Sequence, residues 1–181
     1  MILFSGKKKE DKKDLIEQII LEKYNQYYQL AYKYVHNEAD ASDIVQNGAY
    51  KAIRSSHTLK NAEFAATWIY RIMLNECFQF TKNAKHFSYE GMLETNGIEL
   101  KTSEDTYENI DLKRALETLS EQDRAIIILK YFEDKTLDEI AAILEENVST
   151  VKSRLYRSFK KLRTVLSDEA ISDAHVISKE R

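Results

Sequence analysis

Residues 136–163, TLDEIAAILEENVSTVKSRLYRSFKKLR, have the pattern of two short helices joined by a tight turn. Thr136 and Glu139 have the T-x-x-E spacing of a capping box, which predicts the start of the first helix. Apolar residues at helical spacing predict one buried face on each helix: Leu137, Ile140, Ala141 and Leu144, then Val151, Leu155, Phe159 and Leu162. The second helix is basic, because no acidic residue stands between Glu146 and Asp168.

This pattern indicates a helix-turn-helix. A basic amphipathic helix is often only a solvated surface helix, but the capped helix in front of it favours DNA binding. A helix that is packed by one face and cationic on the other is suited to the DNA major groove. Glu145 occupies the turn position that such motifs most often give to glycine, and a positive φ at a non-glycine residue costs about 1 kcal/mol. Asn147 is an alternative site for the left-handed conformation.

The remaining composition predicts an all-α protein of one or two small domains. The 181-residue chain has no proline and only four glycines, which disfavours a β-sandwich. No apolar run reaches the length of a membrane span, so a cytoplasmic protein is expected. The lone Cys77 excludes an intrachain disulfide, and the four histidines lack the spacing of a metal site. Without a phosphate-binding loop or a nucleophile motif, the sequence predicts neither an enzyme nor a cofactor.

Two helical blocks are expected, joined by a flexible linker. Residues 14–85 form the first block, which begins with one long amphipathic helix through Val35, after a disordered basic segment. Residues 86–109 are acidic and hold two of the four glycines, which predicts the linker. Residues 110–166 form the second block. The net charge of −3 is therefore the sum of an acidic linker and a basic C-terminal helix. This asymmetry suggests weak affinity for free DNA.

The two blocks, in this order, resemble bacterial RNA polymerase sigma factors of the small extracytoplasmic-function (ECF) group, which keeps only regions 2 and 4. Three stretches carry the resemblance: DASDIVQNGAYKAIR at residues 40–54 for region 2.2, FAATWIYRIMLNEC at 64–77 for regions 2.3 and 2.4, and LSEQDRAIIILKYFEDKTLDEIAAILEENVSTVKSRLYRSFKKLR at 119–163 for region 4. The words IIILKYFED and TVKSRLYR look closest to sigma-V-like members from Gram-positive bacteria.

The resemblance implies roles for residues in the first block. Asp40, Asp43 and Gln46 are three apart, so they share a polar helix face, which in the family binds the clamp helices of the polymerase β′ subunit. Asn75 corresponds to a residue that helps to hold a base flipped out of the −10 element. Arg71 is assigned to the same element, as is Lys60, in a loop that resembles the specificity loop. Trp68, Ile69 and Ile72 are expected in the core.

The resemblance also assigns part of the basic helix to the −35 element. Bases are expected to be read by Lys152, Ser153, Tyr156 and Arg157. Thr150 and Arg154 are assigned to phosphate contacts or packing, and Lys160 to phosphate contacts.

The implied function is that of an alternative, noncatalytic sigma factor. Its expected partners are core RNA polymerase through the β′ and β subunits, promoter DNA, and an anti-sigma factor that is membrane-bound. A small-molecule substrate is not expected. Two other classes remain open from the residues alone. One is a dimeric helix-turn-helix regulator with a helical sensor domain, although no heptad or ligand-pocket signature supports it. The other is a recombinase or nuclease, although nothing near Asp40 and Asp43 completes a metal site.

Overall fold

A computed structural model describes the backbone of residues 3–91 and 107–179, and the side chains of residues 11–83 and 112–166. Contacts divide the chain into unit 1, Met1–Ile98, and unit 2, Glu99–Arg181. Unit 1 contains α1 (Leu3–Glu22), α2 (Tyr24–Val35), α3 (Glu38–Arg54) and α4 (Ala65–Gly91). Unit 2 contains α5 (Tyr107–Glu117), α6 (Glu121–Tyr131), α7 (Leu137–Leu144) and α8 (Val148–Lys179). The described residues include no strand, and the predicted all-α class is confirmed.

The first helices of unit 1 differ from the single long helix that the sequence predicts. Helix α1 ends at Glu22 and α2 begins at Tyr24, because Lys23 leaves the helical region at φ −108° and ψ 14°. The break has no glycine or proline, and the buried residues on both sides of it keep helical spacing. No local sequence signal therefore marks it. Helix α1 also begins at Leu3 and runs through the basic segment, residues 7–13, that the sequence predicts to be disordered.

Helices α2, α3 and α4 pack against one another around an apolar core, with α1 alongside α3 and α4. Helices α3 and α4 approach closely at Gly48, where a Cβ atom would overlap the Sδ atom of Met73. A larger residue at position 48 would therefore require the Met73 side chain to move. Beside this contact, Lys51 Nζ lies 2.6 Å from Oε1 of the buried Glu76. These contacts fix the exposed faces of α3 and α4 relative to each other.

Two short 3-10 helices, Ser56–Thr58 and Ala62–Phe64, connect α3 to α4. The connection is anchored by the buried Leu59, whose carbonyl accepts a hydrogen bond of 2.6 Å from Lys12 Nζ of α1. Asn61 caps the second 3-10 helix by accepting a hydrogen bond from the Glu63 backbone N–H at 3.1 Å. The loop tip at Lys60 is exposed, while its base is held in place.

Side-chain caps start two helices of unit 2, and the cap of α7 is the one that the sequence predicts. The Thr136 hydroxyl accepts from the Glu139 N–H at 3.2 Å, and Glu139 Oε2 accepts from the Thr136 N–H at 2.8 Å. This reciprocal pair is the predicted capping box. Ser120 caps α6 by accepting a hydrogen bond from the Asp123 N–H.

The turn between α7 and α8 places the left-handed residue at Glu145, with φ 57° and ψ 36°. Asn147 does not have a positive φ, so the alternative that assigned the turn to it is wrong. The Glu145 N–H donates to the Ala141 carbonyl, and so does the Glu146 N–H at 3.0 Å. These hydrogen bonds satisfy the end of α7 and position the start of α8.

The ends of the helices extend past the block boundaries that the sequence suggested. Helix α4 continues to Gly91, α5 begins at Tyr107 and α8 continues to Lys179. Residues 92–106, the middle of the predicted linker, lie outside the described residues. The flexibility of that segment and the functional boundaries of the two blocks stay predictions. Within the described part of the chain, none of the helices has both the length and the apolar content to cross a membrane.

Candidate nucleic-acid interface

Helix α8 is fixed through one face and exposed through the other. Val151, Ser158 and Leu162 are buried, with Ser158 only 3% exposed. The predicted apolar stripe placed Phe159 in this face, but Phe159 is 42% exposed and its ring packs edge-on against Tyr131, with centroids 5.1 Å apart. A small side chain at 158 allows α8 to approach its neighbours, and the bulky ring is left at the rim.

The exposed side of α8 carries all six residues that the resemblance assigns to the −35 element: Thr150, Lys152, Ser153, Tyr156, Arg157 and Lys160. Tyr156 is the most exposed large apolar residue among the described side chains of this helix, at 75%. The Ser153 hydroxyl donates to the Ser149 carbonyl at 2.9 Å, which leaves its lone pairs available as acceptors. The arrangement offers cationic and hydroxyl groups from one continuous surface.

A groove of about 650 Å³ lies beside this surface. It is lined by Tyr131, Leu137, Lys152, Ser153, Leu155, Tyr156, Arg157 and Phe159. Its floor is apolar and aromatic, and cations stand at its rim. Several of the proposed reading residues therefore also border an exposed apolar surface.

Arg154 has a different environment from the other cations of α8. Its side chain is only 14% exposed, and its Nε atom lies 2.7 Å from Asp123 Oδ1. Burial by itself would raise the pKa of Asp123, but hydrogen bonds from Ser120 and Arg154 and the positive charge nearby hold that pKa below its ordinary value. Arg154 therefore contacts protein carboxylates in this structure.

Helix α4 of unit 1 has a second exposed face. Asn75 is exposed on it, and Arg71, one turn earlier, is partly exposed. Ile69 is fully buried, as predicted, but Trp68 and Ile72 are only partly buried, so their assignment to the core is wrong. The buried residues at 69, 73 and 77 mark the side of α4 that faces the core, and that phase is the sequence signal that places Trp68 on the same face as Asn75, two turns earlier.

The connection before α4 adds two exposed side chains to unit 1. Lys60 is exposed at its tip, and Phe64 is 59% exposed at its end. Phe64 was not among the predicted site residues. Exposed aromatic rings next to cations are the groups that stack on unpaired bases.

Helix α3 presents a polar face away from the core. Asp43 and Gln46 are exposed, and Asp40 is partly exposed in the first turn, where its backbone N–H donates to the Asn37 cap at 3.0 Å. Tyr50, one turn beyond Gln46, is exposed on the same face. The α3 face therefore combines carboxylates, an amide and one aromatic ring.

Comparisons with known proteins match both units. The sigma-70 region 2 family matches residues 19–86, and the sigma-70 region 4 family matches residues 110–162. The chain is 39% identical over 168 residues to the RNA polymerase sigma factor SigV of Bacillus subtilis, covering 92% of this chain and 99% of SigV. The chain belongs to the ECF group of RNA polymerase sigma factors.

More distant relatives share this architecture. The ECF sigma factor SigW of Bacillus subtilis is 28% identical over 155 residues, covering 78% of this chain and 83% of SigW. Among solved structures, the sigma factor RpoE of Bartonella quintana, in complex with the anti-sigma factor NepR, has a TM-score of 0.61 at 22% identity. The match covers 83% of this chain and 96% of RpoE. CnrH, in complex with the cytosolic domain of CnrY, has the same TM-score and identity, with 84% of this chain and 88% of CnrH covered. These structures share the fold of this sigma factor.

Each predicted site residue of the sigma factor therefore lies in the expected unit, on a helix face or loop that is exposed or partly exposed. The polymerase, −10 and −35 assignments of individual residues stay predictions. The fold also shows that Cys77 is not an available nucleophile, because it is fully buried and burial raises the pKa of its thiol.

Proposed function

We propose that this ECF sigma factor binds core RNA polymerase through the α3 face, reads the −10 element with α4 and the preceding loop, and reads the −35 element with α8. The exposed side of α8 is the observation that carries the proposal, because it gathers hydrogen-bonding and cationic side chains on a helix whose opposite side is buried. Its start is set by a capped helix-turn-helix, which is the geometry of a major-groove reader.

In the −35 element, Lys152, Ser153, Tyr156 and Arg157 contact base edges, and Thr150 and Lys160 contact phosphates. Lysine and arginine donate to guanine O6 and N7, and serine pairs with either kind of base. Arginine and lysine also supply the salt-dependent attraction to phosphates. The net negative charge of the chain keeps free-DNA binding weak until polymerase contributes further contacts.

In the −10 element, Asn75 and Arg71 hold a base that has left the stack, and Lys60 contributes from the loop. Extruding a base costs a few kcal/mol, which contacts in a pocket must offset. The partly exposed Trp68 and the exposed Phe64 supply aromatic surface next to these polar groups. Close packing between Gly48 and Met73 brings α4 near α3, which carries the polymerase-binding face.

On α3, Asp43 and Gln46, with Asp40 at their edge, contact the β′ subunit, and the β subunit is a further partner. The sigma factor has no catalytic role in this scheme, because polymerase supplies the chemistry in the cytoplasm. No cofactor, metal or small-molecule substrate takes part.

An anti-sigma factor, membrane-bound, holds this chain inactive in the proposed scheme. Two proteins of the same fold are known in complexes with regulatory partners, NepR and CnrY. The apolar groove beside the −35 residues supports such a partner, because DNA phosphates gain nothing from an apolar floor while a protein helix does. Covering the groove would also cover Lys152 and Arg157.

The test is transcription by purified polymerase holoenzyme from a promoter pool with randomised −35 and −10 elements. Wild-type protein is expected to enrich one pair of elements, and core polymerase alone should enrich none. Asp43→Arg with Gln46→Ala should abolish polymerase binding without loss of helicity, since both side chains are exposed. Asn75→Ala should slow promoter opening, measured by permanganate reactivity, more than it weakens the closed complex.

The matched control for the α3 face is Gln18→Ala with Glu22→Arg, an exposed pair on α1. Wild-type affinity of the α3 variant for core polymerase would remove α3 as the docking face. Absence of any enriched element would refute the sigma activity itself.

A further inference from the structure

Arg154 connects the recognition helix to two other parts of unit 2. Its Nε atom donates to Asp123 Oδ1 at 2.7 Å, and its NH1 group donates to Gln122 Oε1 at 2.8 Å and to Glu146 Oε1 at 2.5 Å. Asp123 and Gln122 lie in the first turn of α6, and Glu146 lies in the turn between α7 and α8. One guanidinium therefore links three elements.

The partners of Arg154 are themselves held in place. Asp123 Oδ2 accepts a hydrogen bond from the Ser120 hydroxyl at 2.7 Å, and that hydroxyl caps α6. The Glu146 backbone N–H is bonded to the Ala141 carbonyl at 3.0 Å. The Glu146 side chain is also confined, because only 19% of it is exposed. Arg154 thus contacts groups that have defined positions before α8 is placed.

The guanidinium lies at the edge of the DNA-reading side, because Thr150 and Arg157, one turn before and one turn after Arg154, are exposed beside it. Lys152 and Tyr156 are each two residues from Arg154, which is about 200° around a helix. Both are exposed, whereas Arg154 is largely buried among its acceptors. Three of its five donors are used by protein acceptors in the part of the chain that the structure describes. Only the two remaining donors could reach a phosphate without breaking these bonds.

We propose that Arg154 is a positioning residue for −35 recognition, which sets the rotation of α8 against α6 and the turn without contacting DNA. The proposal rests on the proposed −35 role of α8. Base-edge hydrogen bonds weaken steeply with distance and angle, so a small rotation of α8 changes which bases its side chains can pair with. Arginine suits this role because its planar fork fixes direction, which the single ammonium of lysine does not.

The experiment compares holoenzymes that contain wild-type protein, Arg154→Gln, Asp123→Asn or the double variant. Each selects from a pool with a randomised −35 element, at a temperature below the unfolding midpoint of every variant. Arg163→Gln is the matched control, since Arg163 is an exposed cation on the same helix. The salt dependence of binding to the preferred promoter is measured in parallel.

Both single variants are expected to lose about ten-fold in discrimination at the same −35 positions, with the slope against salt unchanged. Asp123→Asn is the decisive variant. Asp123 belongs to α6, and its negative charge cannot itself contact a DNA phosphate. The double variant should be no worse than Arg154→Gln alone, since Arg154→Gln already removes the link to Asp123. Arg163→Gln should leave the preference profile unchanged.

Three results would overturn the proposal in distinguishable ways. Arg154 would be a phosphate contact if Arg154→Gln weakens binding to all −35 sequences alike and lowers the salt slope by about one. The base preferences of Asp123→Asn would then be those of the wild type. Unchanged profiles with only a lower unfolding midpoint would leave it a purely stabilising residue. If even the wild-type holoenzyme shows no −35 preference, the role of α8 itself is wrong, and the position of Arg154 has no bearing on recognition.

Discussion

Unit 1 and unit 2 both present exposed functional faces, but they hold those faces by different interactions. In unit 1, α3 and α4 meet in close packing between Gly48 and Met73, with the Lys51–Glu76 ion pair beside it. In unit 2, buried or nearly buried guanidiniums link the helices: Arg124 Nε donates to the Leu116 carbonyl at 3.1 Å, and Arg154 binds Asp123 and Glu146.

The difference predicts different sensitivities. Close packing depends on side-chain volume and responds little to pH or salt. A buried ionic link depends on the charge of each partner, and losing one partner leaves the other uncompensated. Changes of volume should therefore be most harmful at the Gly48–Met73 contact, and changes of charge state at the Arg154 link.

The largest effect is expected for Gly48→Leu, which places a side chain where the Met73 sulfur lies. Overpacking should destabilise unit 1 by about 3 kcal/mol. Denaturant unfolding followed by fluorescence isolates this unit, because Trp68 is the only tryptophan of the chain. Met73→Ala should restore part of the loss, and the exposed Asn47→Leu is the control. Full stability of Gly48→Leu would show that the helix contact is not tight.

A smaller effect is expected in unit 2 for Arg157→Ala. Lys152 and Arg157 are five residues apart, or about 140° around the helix, so they cannot read the same base edge. Loss of a base contact should reduce discrimination at one −35 position by about 2 kcal/mol in the holoenzyme. Lys160→Ala should instead weaken binding to all sequences alike and lower the salt slope by about one. Unchanged base preferences for both Lys152→Ala and Arg157→Ala would show that α8 does not read this element.

The charge dependence of unit 2 is tested by Asp123→Asn. The pKa of Asp123 is lowered in the folded chain, so the ionised carboxylate stabilises the fold. That contribution, about 1.5 kcal/mol for hydrogen bonds to a charged group, is fully present above the ordinary aspartate pKa of about 3.9. It is lost as the pH falls through the lower folded-state pKa.

Denaturant titrations at pH 7 and at pH 3, followed by the methyl NMR signals of unit 2, measure this contribution. Wild-type and Asp123→Asn proteins should differ at pH 7 and converge towards pH 3. The exposed Asp138→Asn, at the start of α7, is the control. An equal difference at both pH values would mean that the ionised state of Asp123 is not what stabilises unit 2.

The smallest effect is a gain in stability from Glu145→Gly. Glu145 has a φ of 57°, which an L-residue with a Cβ atom adopts at a cost that glycine avoids. The gain should be about 0.5–1 kcal/mol in unit 2, seen as a higher denaturant midpoint for its NMR signals. A lower midpoint would indicate that contacts of the Glu145 side chain outweigh the backbone strain.

Much of unit 2 was predictable from local sequence. Thr136 with Glu139 and Ser120 with Asp123 are caps that involve neighbours three residues apart, so their geometry follows from spacing. The all-α class followed from the absence of proline and the scarcity of glycine. The exposed location of the predicted −35 residues followed from helical phase, since they lie off the apolar stripe of α8.

Other features were decided only by contacts between residues distant in the chain. The break at Lys23 follows no local signal, and Trp68 is partly exposed because α4 buries the face at 69, 73 and 77. Arg154 was open as a phosphate contact because its charge alone resembles that of Lys152. Its partner Asp123 is 31 residues away, and only the packing of α8 against α6 brings the two together. Local spacing determines caps and helical faces through short-range geometry, whereas the partner of each buried charge depends on which helices meet.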